Sequence, residues 1–186
     1  MSLILGLDVS TSCTGWCVVN REGTLVDIGS IPLSKQKSVY KKAQEVSNTL
    51  CDIMISHDIS DVYIEENLQS FRRGFSSAQT LSTLARFNGI VSLLSYQQFN
   101  IEPIHINVNA ARKCLGIKIV TKKKGGAPTK EQIVEWASSE LGPDHTWPTK
   151  VLKNGPRKGQ EILDPIAFDM ADAYVIARAG FVLGSP

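Results

Sequence analysis

Residues 3–9, LILGLDV, set Leu3, Leu5 and Leu7 on one side of an extended chain and Ile4, Gly6 and Asp8 on the other. The stretch predicts a buried strand that ends by delivering one carboxylate, Asp8, to the edge of a sheet. A cluster of small hydroxyl residues between Ser10 and Thr14 follows directly. Two chemistries fit this meeting of strand and turn: Asp8 as a metal ligand, or the turn as a clamp for nucleotide phosphates. The choice rests on what the rest of the chain places beside it.

TGWCVVN (14–20) and LVDIGSIP (25–32) predict two further strands joined by the turn REG (21–23), so the first three strands form an antiparallel meander. Val39, Ala43, Val46, Leu50 and Ile53 recur at helical spacing and predict an amphipathic helix from about Lys37 to Ser56. DVYIEE (61–66) predicts a fourth strand, with Val62 and Ile64 on one face and Tyr63 and Glu65 on the other. A polar loop containing FRRGF (71–75) leads to a long helix over roughly Ser76 to Gln97. Gly89 inside that helix costs about 1 kcal/mol relative to alanine, which suggests close packing against another element.

PIHINV (103–108) predicts a fifth strand, followed by a short helix with Asn109 as its candidate cap. Thr129 and Gln132 have capping-box spacing at the head of a helix that runs to Leu141. Residues 142–163, punctuated by Pro143, Pro148, Gly155, Pro156 and Gly159, predict an irregular loop. A last helix is expected from about Pro165 to Val182. This order predicts a single α/β domain over residues 1–186: a mixed five-stranded sheet, its first three strands antiparallel, with helices on both faces.

The 186 residues, 42% hydrophobic and 20% charged, suit one soluble globular domain. No apolar stretch reaches the roughly 18 residues of a membrane span. No basic segment precedes the short apolar run at the N-terminus, so neither a membrane partner nor a secretion signal is expected. The expected location is cytoplasmic, in a bacterial cytosol or an infected host cell. Cys13, Cys17, Cys51 and Cys114 are scattered without the spacing of a zinc site and read as buried, reduced thiols. The net charge of +2 hides an uneven distribution. From Pro103 to Lys130 there is no acid, yet there are seven cations: Arg112, Lys113, Lys118, Lys122, Lys123, Lys124 and Lys130. Lys150, Lys153, Arg157 and Lys158 form a second basic group. A solvated loop explains most charge runs; seven cations without a compensating acid point instead to a surface that faces a polyanion.

Four acids stand out once the elements are placed. Asp8 ends the first strand, Glu65 lies on the fourth, and Asp169 and Asp172 share one face of the last helix through their i, i+3 spacing. A helix packed near the ends of the first and fourth strands brings all four together. Carboxylates so gathered repel one another unless cations fill the site, and hard oxygen ligands suit Mg²⁺ or Mn²⁺. Two such ions can activate a water and stabilise a leaving oxygen in phosphodiester hydrolysis. Taken singly, each acid is as well explained by a turn, a cap or a solvated helix face. Together with the basic segment they favour a metal-dependent nuclease.

The blocks LGLDVSTSCTGWCVV (5–19), VYIEENLQSFRRG (62–74) with LARFNG (84–89), and DMADAYVIA (169–177) resemble, in order, those of the RuvC-type Holliday junction resolvases of the ribonuclease H-like superfamily. IHINVNAARKCLGI and TKEQIVEWA are similar to that family's strand, short helix and lysine-bearing helix start. The resemblance implies a ribonuclease H-like fold and resolution of four-way DNA junctions by paired symmetric nicks. It implies two Mg²⁺ or Mn²⁺ ions per site on Asp8, Glu65, Asp169 and Asp172, with Lys130 as a catalytic-site or DNA-contacting lysine and no small-molecule cofactor. Phe71, Arg72, Arg73 and Phe75 fall in the loop that family members push into the junction centre, where stacking on a base is worth about 1–3 kcal/mol; ordinary packing explains the two phenylalanines equally well. Phosphate contacts are expected from Arg112, Lys113, Lys118 and Lys122, Lys123 and Lys124. A homodimer is implied, with the helix that carries Gly89 as its interface. The 142–163 loop and the lysine-rich insertion are longer than the compact family pattern and resemble the variation of viral and other divergent members. His145 in that loop is weighed as a residue near the metals against an ordinary loop histidine.

The opening also resembles the phosphate-binding turn of actin-like ATPases and sugar kinases, in which Asp8 would hold Mg²⁺ against ATP. That architecture uses two such domains, and this sequence shows neither a second phosphate turn nor a Gly-rich adenosine segment. A broader flap or branched-DNA nuclease is the second alternative.

Overall fold

The computed structural model describes residues 2–66 and 78–184. The strands are β1 (Leu3–Asp8), β2 (Cys13–Val19), β3 (Leu25–Pro32), β4 (Ile59–Glu65) and β5 (Ile104–Ile106), with β6 (Thr149–Val151) and β7 (Glu161–Leu163) further on. The helices are α1 (Val39–Ser56), α2 (Ala78–Phe99), α3 (Val108–Cys114), α4 (Thr129–Leu141) and α5 (Ile166–Gly184), with a 3-10 turn over Lys122–Lys124. The main sheet has the order β3-β2-β1-β4-β5. β1 pairs antiparallel with β2 and parallel with β4, β2 antiparallel with β3, and β4 parallel with β5. This is the mixed five-stranded sheet expected from the sequence, and its central strand is the one that opens the chain.

The period of two along the strands sorts the side chains into two cores. Leu3, Leu5, Leu7, Val18, Val62 and Ile64 face α1 and α2, where Val46, Leu50, Ile53, Phe87 and Val91 meet them. Ile4, Cys17, Val19 and Tyr63 face the other way, toward Ala111, Ile133, Ala137 and the buried stripe of α5. Asp8 and Glu65 continue this second set, so both carboxylates emerge on the α5 side.

Two glycines let α5 lie directly on the sheet. A Cβ added to Gly6 would stand 2.4 Å from the amide nitrogen of Ala177, and one added to Gly15 only 1.9 Å from the carbonyl oxygen of Asp169. Gly89 behaves differently from the expectation: a Cβ there meets nothing within 4 Å, so no described element of this chain packs on it.

Several boundaries differ from the sequence reading for local reasons. Asn107, not Asn109, caps α3, its side chain accepting from the Asn109 amide at 3.0 Å. Thr129 is the first helical residue of α4 and Pro128 takes the cap position without a side-chain bond. Gln132 is drawn away from a capping box: its amide donates to Val120 O at 2.8 Å and Ala127 O at 2.6 Å and its oxygen accepts from Val120 N at 2.9 Å. The basic loop is thereby pinned to α4. Residues 142–163 are not wholly irregular, since β6 and β7 pair antiparallel within them. The cap of α5 is Asp164, which accepts from the Ile166 amide at 3.1 Å.

Candidate active site

β1 and β4 run parallel with Leu7 opposite Ile64, so the next residues, Asp8 and Glu65, stand side by side at the carboxyl edge of the sheet. Asn88, buried on α2, donates to the Glu65 carbonyl at 3.1 Å and fixes the end of β4. Glu66 turns the other way, accepting from Asn107 at 3.4 Å. On the opposite side of Asp8 its antiparallel partner is Gly15, directly under Asp169. Asp172 follows one turn along α5. The close approach at Gly15 therefore suspends the aspartate pair of the helix over the end of β1. All four predicted acids are brought to one place.

Their protonation reflects that crowding. Burial pushes the Asp8 carboxyl well above its ordinary value, and Glu65, Asp172 and Asp169 push it further. Glu65 is raised to about 7, first by burial and then by Asp172, against the opposing pull of Arg112, a hydrogen bond with Asp8 and Lys130. Asp172 is raised by burial although Arg112 and Lys130 oppose it. Burial lowers the Lys130 ammonium, but Asp169, Asp172 and Asp8 outweigh it and hold the lysine protonated.

Two cations face the acids. Lys130 Nζ lies 3.4 Å from Asp169 Oδ1 and Arg112 Nη2 lies 3.6 Å from Asp172 Oδ1. The second distance is an ion pair rather than a hydrogen bond. Asp172 Oδ1 and Arg112 Nε are both buried without a hydrogen-bond partner among the described residues. A buried carboxylate oxygen left without a donor is costly, and a divalent cation would satisfy it. Among the described residues no three His, Cys, Asp or Glu side chains already stand as a closed ligand cluster. The donor set nevertheless fits a hard cation: oxygen ligands only, and mutually repelling.

The hydroxyl cluster after β1 is occupied within its own turn. Ser10 and Ser12 share a hydrogen bond of 2.9 Å, and Thr14 donates to Ser10 O at 3.3 Å. Lys42 binds Thr11 O. These contacts suit a turn into β2 rather than a phosphate clamp.

Among the predicted DNA contacts, Arg112 lies inside the acidic site. Beside it α3, the following loop and the start of α4 line an open cavity of about 690 Å³ bordered by Asn109, Arg112, Lys113, Lys118, Thr121 and Thr129, among others. Lys122, Lys123 and Lys124 are exposed on the 3-10 turn. Phe71, Arg72, Arg73 and Phe75 lie outside the described residues. His145 stacks edge-on against Trp147, with centroids 4.5 Å apart, and burial lowers its pKa; it packs in its own loop. One neighbour of the site escaped the sequence reading. Cys13 lies beside Asp169, and burial and that carboxylate push its thiol up to about 12.

The fold is that of RuvC-type proteins of the ribonuclease H-like class. The T. thermophilus RuvC in complex with Holliday junction substrate matches with a TM-score of 0.65 at 16% identity, over 99% of this chain and 95% of that one. The yeast mitochondrial Holliday junction resolvase Ydc2 matches with a TM-score of 0.55 at 13% identity, over 96% and 77% of the two chains. In sequence, the crossover junction endodeoxyribonuclease RuvC of Aliarcobacter butzleri (strain RM4018) is 27% identical over 133 residues, 70% of this chain and 77% of that protein. That of Erythrobacter litoralis (strain HTCC2594) is 30% identical over 78 residues, 38% of this chain and about half, 48%, of that protein. Residues 1–141 match the family described as Lactococcus phage M3 protein (DUF3882), and the chain belongs to that family.

Proposed function

We propose that this protein is a metal-dependent, structure-selective DNA endonuclease that resolves four-way junctions by paired symmetric nicks. The observation that carries the reading is the acid quartet Asp8, Glu65, Asp169 and Asp172 facing Lys130 and Arg112 beside a basic cavity. The proteins it resembles are named as crossover junction endodeoxyribonucleases and Holliday junction resolvases, which supports the same substrate.

Asp8, Glu65, Asp169 and Asp172 would hold Mg²⁺ or Mn²⁺, two ions per site. Ions there supply charge that activates water and stabilises the leaving oxygen. The protein's own groups do the rest. Asp8 and Glu65, fixed on adjacent strands, set the ligand positions before any DNA arrives, which limits reorganisation at the moment of reaction. Lys130, held protonated by its acidic neighbours, presents a cation to the phosphodiester as negative charge develops. Arg112 neutralises Asp172 and reaches the cavity where the strand backbone would enter. Lys113, Lys118 and Lys122–Lys124 supply salt-dependent affinity without sequence information.

Two symmetric nicks require two sites, hence a homodimer. The open face of α2 supports that assembly: among the described residues Gly89 has free space above it, and Leu93 and Tyr96 on the same helix are 56% and 47% exposed.

The test is to incubate the purified protein with Mg²⁺ or Mn²⁺ and labelled four-way, flap and linear DNAs, and to map the products. Paired nicks at symmetric positions of the four-way junction are expected, with linear duplex left intact. Equal cutting of flaps would broaden the activity to a branched-DNA nuclease. ATP hydrolysis without DNA cleavage would favour the kinase-like alternative.

A further inference from the structure

β6 and β7 pair only with each other among the described residues, with Thr149 opposite Leu163, Lys150 opposite Ile162 and Val151 opposite Glu161. The loop they carry is closed by bonds from Leu152 N to Gln160 O at 2.9 Å and from Gly159 N to Leu152 O at 2.8 Å. Gly155 and Gly159, at φ of 83° and 86°, take the left-handed conformations that its bends need. The base is anchored. Asp164 N donates to Pro148 O at 2.8 Å and Trp147 Nε1 to Ser138 Oγ of α4 at 2.8 Å, while Trp147 and Leu163 pack into the core beneath α5. The outer half stands in solvent: residues 153–160 are exposed and Val151 is 57% exposed.

A two-stranded hairpin is marginal in water without a surface to cover it. This one carries Lys150, Lys153, Arg157 and Lys158 against a single acid, Glu161, which Thr149 engages. Among the described residues none of the four cations is ion-paired. Solubility alone asks for no ordered projection. The hairpin returns into Asp164, the cap of α5, and Asp169 stands five residues further on, so it projects from the end of the helix that bears the acids. At about 3.3 Å per residue its five or so residues of length span about 17 Å, far enough to follow a duplex away from the cut.

We propose that the β6–β7 hairpin is an arm that grips the phosphate backbone of a duplex DNA arm flanking the cleavage site. The inference rests on the nuclease reading for its orientation, and its test is binding rather than cutting. In an Asp8→Asn background that leaves DNA intact, Lys150, Lys153, Arg157 and Lys158 are all changed to Gln, and binding to a four-way junction and to a linear duplex is measured across a salt series. Affinity for both should fall at least tenfold near 0.15 M salt. The slope of log K against log salt should become shallower by about 0.9 for each phosphate that the hairpin no longer neutralises. Changing the three lysines to Arg should preserve the original slope, and thermal melting should be the same for all variants. An unchanged slope and affinity would overturn the proposal, as would weaker binding to the junction with duplex binding unaltered. Strong, salt-dependent DNA binding by a wild-type protein that cuts nothing would count against the nuclease reading and leave the arm in place.

Discussion

Asp8 is an uncomfortable residue when no cation offsets its neighbours: half-buried, beside Glu65 and under Asp172 and Asp169. Asp8, Glu65 and Asp172 all hold protons more tightly folded than unfolded, so they favour the folded state at low pH. That contribution is lost as pH rises from the ordinary carboxylate range through about 7, the value for Glu65. The melting temperature in chelator should therefore fall between pH 5 and pH 8, and added Mg²⁺ should raise it more at pH 8 than at pH 5. A melting temperature independent of pH and metal would contradict the clustering. At this scale the sequence was informative where spacing alone decides. Strand alternation put Asp8 and Glu65 on the faces they occupy, and the i, i+3 interval joined Asp169 to Asp172. Cys13 and the pairing of Arg112 with Asp172 were not legible, because each depends on how closely α5 approaches β2 and α3.

That approach belongs to the elements, and it turns on glycine. Gly15 lets the Asp169 carbonyl pass where a side chain would stand, and Gly6 does the same for Ala173 and Ala177. Overpacking a core costs about 1–3 kcal/mol. Gly15→Ala should lower stability by at least that and reduce cleavage further than stability explains, because Asp169 is lifted from its partners. Gly6→Ala, farther from the acids, should chiefly lower the melting temperature. Melting and single-turnover cutting of the two variants separate these effects; equal loss of activity per degree in both would contradict the positioning role of Gly15. The main strands and α5 were legible because their burial imposes a period. The β6–β7 hairpin was not, since its exposed residues carry no alternation, and Gln132 misled because tertiary bonds to Val120 and Ala127 outcompete a local cap.

For the whole molecule, a glycine in mid-helix is a reason to expect close packing at Gly89, and the described residues of the chain leave that position open. The proposed dimer through α2 would reconcile the two. Sedimentation should show a dimer at micromolar concentration, and Gly89→Leu should yield a folded monomer that binds junctions but no longer nicks opposite strands in concert. A wild-type monomer that still makes coupled nicks would contradict the assembly. The central claim, that Asp8 and its three acidic partners form a metal-dependent junction-cutting site, is tested most directly by comparing wild type with Asp8→Asn on a labelled four-way junction in Mg²⁺ or Mn²⁺. The account predicts paired nicks by the wild type and none by Asp8→Asn, with junction binding largely retained. Cutting by Asp8→Asn at the wild-type rate would contradict it.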